Sequence, residues 1–279
     1  MDHIEQIDSI KCEIEGTITA IKPDNYGRRL SIGTSTGKIY IYKKINNSFQ
    51  KVYELEAHIG PILKIDWAHQ NYGNIFVTCG FDKKVNLFQE IVNENFSLLY
   101  EFNEHNNCVT CVSFYNNANN FLFISGCLDG NIAVHKYQSE NQDFITHKIF
   151  AHNFGVNSIS FFRNNDIISF VTCGNDNLIK VWNFNNEKGE YENIFIEDKL
   201  DSINRFVCCK DEYNFFSCGD DGVVYYFVKN KEKNNWDYKE IFSNSTPLVG
   251  LSLNENGNAI DVIGIDGVDK VITEDEFLN

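Results

Sequence analysis

The sequence predicts an all-β fold, a six-bladed β-propeller, on two observations: a repeat that fills the chain and a hairpin signal at the same place in each repeat. Three histidines, His58, His105 and His152, stand 47 residues apart, and each is followed 24 residues later by an aspartate, Asp82, Asp129 and Asp176. The aspartate ladder continues to Asp221 and Asp266 and steps back to Thr36, with intervals of 46, 47, 47, 45 and 45 residues. Six repeats account for essentially all 279 residues, roughly 10–54, 55–101, 102–149, 150–196, 197–241 and 242–279, so 1–279 is expected to be a single domain without a linker. Each ladder position opens a tight turn between two short apolar runs. RLSIG, IFVTCG, FLFISG, SFVTCG and FFSCG precede it, and KIYIY, VNLF, IAVH, LIKVW and VVYYF follow it. Asp129-Gly130 and Asp221-Gly222, flanked by β-branched and aromatic residues, are hairpin signals. A mid-forties period holding about four short strands describes a propeller blade.

Composition narrows the function classes. Hydrophobic residues are 43% and charged residues 23%, ordinary for a globular chain. Lys and Arg number 24 against 39 Asp and Glu, a formal charge of -15 that repels a phosphate backbone or an anionic bilayer. No apolar run approaches the roughly 18 residues that span a bilayer, and MDHIEQIDSI lacks the basic start and apolar stretch of a signal peptide. A cytosolic or nuclear protein with reduced thiols is the expectation.

The register absorbs the residues that look chemical. His152, Thr172, Asp176 have the composition of a nucleophile–base–orienter triad, but the set recurs as His58, Thr78, Asp82 and as His105, Ser125, Asp129, which one active site would not require. A structural network fits better: a turn Asp bonds a loop His, the His bonds a strand hydroxyl, and the hydroxyl bonds the indole of Trp182. Each such bond contributes a net of about 0.5–1.5 kcal/mol. Repeat four alone has all four members, because Phe88 and His135 stand at the tryptophan position elsewhere. Cys108-Val-Thr-Cys111 has the spacing of half a zinc site without a matching second pair. Cys208-Cys209 are adjacent, and Cys79, Cys173 and Cys218 hold the repeating small-residue position. No phosphate-binding glycine loop or G-x-S-x-G elbow is present. The expectation is no catalytic residue, no metal and no cofactor.

The segment 56–90, EAHIGPILKIDWAHQNYGNIFVTCGFDKKVNLFQE, resembles the second blade of the Sec-thirteen family of WD-repeat proteins, most specifically in GPILKIDWAHQNYGNI. NYGRRL at 25–30 and GNDNLIKVW at 174–182 resemble the same family, whose close relative, the Seh-one nucleoporin, shares the second-blade motif. The likeness weakens after residue 198. Repeat five has Asp198 where a loop histidine is expected, and repeat six lacks both the histidine and the aromatic.

The resemblance implies a scaffold. Family members are open six-bladed propellers that accept a further blade from an elongated α-helical partner, either a Sec-thirty-one-type coat protein of COPII vesicles or a nucleoporin of the nuclear-pore Y-complex. It implies ER exit sites and COPII vesicles, or the nuclear pore, as locations. It also implies membrane association only through the assembly, and no direct nucleic-acid contact. Unpaired strand edges suit β-addition, and the degenerate repeats one and six are expected to form the docking groove. Its expected lining is Ile18, Ile21, Leu30 and Ile32 on one side and Leu251, Leu253, Ile260 and Val262 on the other. The outermost strand of blade six is left open between residues 3–10 and 273–279. A WD-repeat adaptor that binds a basic peptide or histone tail at a central channel is the alternative, and the acidic balance would suit such a ligand.

Overall fold

The structure is a computed structural model that describes residues 14–46, 48–92, 94–163, 167–197, 200, 202–230, 232–233, 235–254 and 256–278. Every ladder turn lies between two antiparallel strands, as the hairpin signals predict. The chain divides into two compact units, Met1–Asn103 and Glu104–Asn279.

The first unit holds two four-stranded sheets. Blade one is β1 (Ile18–Pro23), β2 (Arg29–Thr34), β3 (Lys38–Ile45) and β4 (Ser48–Glu56), paired in chain order; blade two is β5 (Ile62–Trp67), β6 (Ile75–Gly80), β7 (Val85–Val92) and β8 (Asn95–Phe102). Alternation along these strands sends one set of side chains into the space between the two sheets. Ala20, Ile39 and Ile41 of blade one meet Ile62, Ile65, Trp67, Phe76, Phe88 and Phe96 of blade two there.

The second unit repeats the plan four times. Blade three is β9 (Val109–Phe114), β10 (Leu122–Cys127), β11 (Asn131–Gln138) and β12 (Asp143–Phe150); blade four is β13 (Val156–Phe161), β14 (Ser169–Gly174), β15 (Ile179–Asn185) and β16 (Glu190–Glu197). Blade five is β17 (Asn204–Cys209), β18 (Asn214–Gly219), β19 (Val223–Asn230) and β20 (Asn235–Ser243). Among the described residues blade six has three strands, β21 (Leu248–Leu253), β22 (Ala259–Gly264) and β23 (Asp269–Thr273). The fold class is the all-β, six-bladed WD-repeat β-propeller. The core again lies between successive sheets: Ile124, Ile132 and Val134 pack on Val156, Phe161, Phe170 and Trp182, and Val171, Cys173 and Val181 pack on Val207, Phe215, Phe227 and Trp236.

Two local devices repeat. The innermost strand of each sheet carries a register irregularity near its start, for example between Ile62 and Lys64, Val156 and Ser158, and Leu248 and Gly250. The turn glycine after Asp129 is needed twice over. Gly130 has φ +86°, and a Cβ there would lie 1.7 Å from the carbonyl oxygen of His152, whose own amide donates to the Gly130 carbonyl at 3.0 Å. One blade's turn thereby seats the next blade's histidine loop.

The open question about blade six is answered on one side. Residues 274–278 form a short helix, α1 (Glu274–Leu278), in place of a strand. Glu276 supplies one half of a capping box: its carboxylate accepts from the Thr273 backbone N–H at 2.7 Å and from the Thr273 hydroxyl at 3.1 Å. Phe277 then packs on Phe216 and Tyr226, with ring centroids 5.2 and 5.5 Å apart. Residues 3–10, the other candidate, lie outside the described residues.

Candidate functional site

Blade four builds the full network. The Trp182 Nε1–H donates to Thr172 Oγ1 at 2.9 Å, and Thr172 meets His152 Nε2 at 2.9 Å. His152 Nδ1 meets Asp176 Oδ1 at 2.8 Å, and the Asn153 and Leu178 amides also donate to that carboxylate. The chain has one consistent polarity: the hydroxyl gives its proton to Nε2, so Nδ1–H points at the carboxylate. Burial pushes the His152 pKa down, with the Asp176 hydrogen bond opposing it. Burial works against the Asp176 charge, but the His152 bond and the two amides overcome it and hold the carboxyl below its ordinary value. His152 and Thr172 are fully buried. This geometry orients two strands and a loop and leaves no basic nitrogen free to attack or to abstract.

Blade two has the same centre without the indole. His58 Nδ1 meets Asp82 Oδ1 and its Nε2 meets Thr78 Oγ1, both at 2.8 Å. Phe88 stacks on Phe76 at 5.2 Å where the tryptophan would stand, and Thr78 is within 3.4 Å of the Asn86 carbonyl.

Blade three differs in kind. His105 Nε2 meets Ser125 Oγ at 2.7 Å, Ser125 meets His135 Nε2 at 3.0 Å, and His135 Nδ1 meets Thr146 Oγ1 at 3.0 Å. The second histidine has replaced the tryptophan and extends the relay. Burial drives the His135 pKa to about 3, with the His105 and Lys148 charges adding to it. Burial likewise lowers His105, to about 4. Asp129 accepts from the Asn131 amide at 2.9 Å, but His105 and Asp129 form no hydrogen bond among the described residues.

Among the described residues, blades five and six do not form the network. Asp198 lies outside the described residues. Ser217 Oγ, at the strand-hydroxyl position, is buried without a hydrogen-bond partner among the described residues. Asp221 is held by the Tyr225 hydroxyl at 2.9 Å instead, and Arg205 pairs with Asp220 through two bonds of 2.7 and 2.8 Å. In blade six Asn244 stands near Asp266 at 3.3 Å, and Val262 replaces the hydroxyl.

The expected docking residues divide. Ile18 and Ile21 are exposed, at 46% and 56%. Ile32 and Leu30 pack with Tyr40, Tyr42, Ile14 and Phe49 on the face of blade one away from blade two. The four residues expected from blade six need correction. Ile260 and Val262 are buried, and Leu251 and Leu253 partly so, against Phe216, Cys218, Val224 and Tyr226 of blade five. Strand parity explains the error, since neighbours along a strand face opposite ways. The outward face of blade six carries Ile263, at 46% exposure, and Val271, at 37%, beside Ser252 and Asp261. The alternation in LSL and IDVIG could have signalled this face had the inward partner been known. No disulfide joins the eight described cysteines.

Comparison with known proteins agrees with the repeat. The family described as WD domain, G-beta repeat matches residues 96–136 and 144–183. The chain is similar to the Protein SEC13 homolog of Drosophila melanogaster, 32% identical over 82 residues, 29% of this chain and 23% of that protein. It is 38% identical over 79 residues to the Protein transport protein SEC13-2 of Candida glabrata, 27% of this chain and 26% of that one. Against the Protein transport protein SEC13 of Chaetomium thermophilum it is 37% identical over 68 residues, 24% and 22% of the two. The matched stretches span about a quarter of the length of each of these relatives.

Proposed function

We propose that this chain, which carries WD repeats and is similar to SEC13 proteins, is a member of the Sec-thirteen family and a non-enzymatic scaffold subunit of the COPII outer coat, of the nuclear-pore Y-complex, or of both. In that role an elongated α-helical partner, of the Sec-thirty-one type or a Y-complex nucleoporin, adds a β-blade. The protein then works at ER exit sites and on COPII vesicles, with the nuclear pore as a second location, and meets the membrane only through the assembly.

The observation that carries the reading is the sixth sheet. Among the described residues the other five sheets have four strands, whereas β23 is the edge of a three-stranded one. An edge strand presents a row of backbone donors and acceptors that another chain can pair with. Ile263 and Val271 offer apolar surface beside that edge. The non-enzymatic part rests on the networks, since His58 and His152 have both ring nitrogens committed to a carboxylate and a hydroxyl.

Affinity purification of the full chain from its source cells, with mass spectrometry of what accompanies it, tests the proposal. Long α-helical proteins with a short β-rich segment ahead of the helices are expected, and their identities separate coat from pore. Histones or other basic-tailed ligands, without an elongated helical protein, would replace the scaffold with the channel-binding adaptor.

A further inference from the structure

One position distinguishes the third blade from its neighbours in a way that scaffolding does not require. Two residues before the ladder aspartate, blades two, four, five and six have Gly80, Gly174, Gly219 and Gly264, while blade three has Cys127. The glycines of blades two and four have a steric reason. A Cβ at Gly174 would lie 2.5 Å from Cγ and 2.6 Å from Nδ1 of His152, and one at Gly80 would lie 3.0 Å from His58 Nδ1. A side chain here therefore enters the space beside the histidine's Nδ1, on the side where the aspartate docks.

In blade three that space is filled by a thiol. His105 keeps its hydroxyl partner at 2.7 Å but not the aspartate bond, which measures 2.8 Å in blades two and four. Cys127 is fully buried, His105 is 6% exposed, and Asp129 is half-buried, which leaves a route from solvent on the carboxylate side. The ligand atoms of His105, Cys127 and Asp129 all lie within 4.8 Å of one another. Tetrahedral coordination with metal–ligand bonds of about 2.0–2.3 Å needs neighbouring ligands roughly 3.3–3.8 Å apart. A closure of about 1 Å by short side chains reaches that spacing.

We propose that His105, Cys127 and Asp129 bind a divalent transition-metal ion of the zinc class through His105 Nδ1, the Cys127 thiolate and the Asp129 carboxylate, with water in the fourth position. One nitrogen, one sulfur and one carboxylate oxygen form a donor set that suits zinc in tetrahedral geometry. The thiol proton passes to solvent as the metal–sulfur bond forms. The surrounding bonds hold the donors in place. His105 Nε2–H can donate to Ser125, Ser125 to His135 Nε2, and His135 Nδ1–H to Thr146, a direction that leaves the His105 Nδ1 lone pair free for a metal. The Asn131 amide fixes one Asp129 oxygen, and the Asp129 amide donates to Cys127 Sγ at 3.5 Å, while the bond the Cys127 thiol donates to the Asn107 carbonyl at 3.2 Å is given up as the thiolate forms.

The test is titration of the purified, chelator-stripped full chain with Co²⁺, followed by displacement with Zn²⁺. One equivalent of Co²⁺ is expected to give a thiolate-to-cobalt charge-transfer band and tetrahedral d–d absorption that Zn²⁺ abolishes. Cys127→Gly, the residue blades two and four already use, should keep the urea midpoint at or above the parent value and lose the band. Cys127→Ser, run in parallel, should lose the charge-transfer band as well. Asp129→Asn should weaken binding by roughly tenfold or more. The absence of a charge-transfer band in the parent, or a band that survives in Cys127→Gly, would overturn the site.

Discussion

Blades four and six share a chain, a turn aspartate and a hairpin plan, yet one is locked and the other is not. In blade four a buried indole, hydroxyl, imidazole and carboxylate form one line of hydrogen bonds, and a fourth strand covers β15. In blade six Val262 and Ile272 stand where the hydroxyl and the indole would be, Asn244 replaces the histidine, and β23 is an edge among the described residues. Blade six keeps its inward face, where Ile260 and Val262 pack on blade five, and loses what would finish its outward one. Packing alone thus suffices to form a blade. The polar network of blade four adds fixed hydrogen bonds to that packing.

Substitutions at matched positions can break this contrast. Asp176→Ala strips the carboxylate from a buried histidine and two amides and should cost about 3 kcal/mol by urea unfolding. A loss under about 1 kcal/mol would show that the network is ornamental. Acid sharpens the comparison next. Burial, aided by the His105 and Lys148 charges, holds His135 neutral, so the unfolded chain takes up its proton first as pH falls below about 6.5. Stability contributed at neutral pH is therefore lost between that value and about 3, with about 2 kcal/mol gone by pH 5. His135→Phe should flatten that limb of the stability–pH curve, and an unchanged slope would contradict the assignment.

The strand hydroxyl gives opposite signs in two blades. Thr172→Val orphans both the imidazole and the indole and should destabilise by about 2 kcal/mol, whereas Ser217→Ala removes a buried hydroxyl with no partner among the described residues and should stabilise by up to about 1 kcal/mol. Destabilisation by Ser217→Ala would mean that blade five holds its hydroxyl in use. The smallest effect belongs to Asp266→Ala in blade six, which should leave the urea midpoint essentially where it is, because its carboxylate is solvent-exposed.

Much of this was legible before the structure, and the residues show why. A repeat with fixed offsets places His58, His152, Asp82 and Asp176 in contact without any long-range information, because every blade solves the same local problem. The resemblance of GPILKIDWAHQNYGNI pointed the same way, and the matches to WD repeats and to SEC13 proteins agree. What failed was parity. Choosing Leu251, Leu253, Ile260 and Val262 for an outward face required knowing which side of β22 meets blade five, and hydrophobicity marks both sides of this strand. The capping-box pattern in TEDE was readable but short, and nothing local announces that a Cys in place of Gly parts His105 from Asp129. That consequence needs the Cβ-to-ring distances of the neighbouring blades.

Hydrogen exchange of the free chain, read by mass spectrometry, tests the contrast between the locked and the unfinished blade most directly. The amides of β23 should exchange at least about tenfold faster than those of β14 and β15. They should become protected when the partner recovered by affinity purification is bound, while β14 and β15 stay unchanged. Amides in β23 as protected as those of β15 in the free chain would mean that blade six is already complete, and the docking reading would fall.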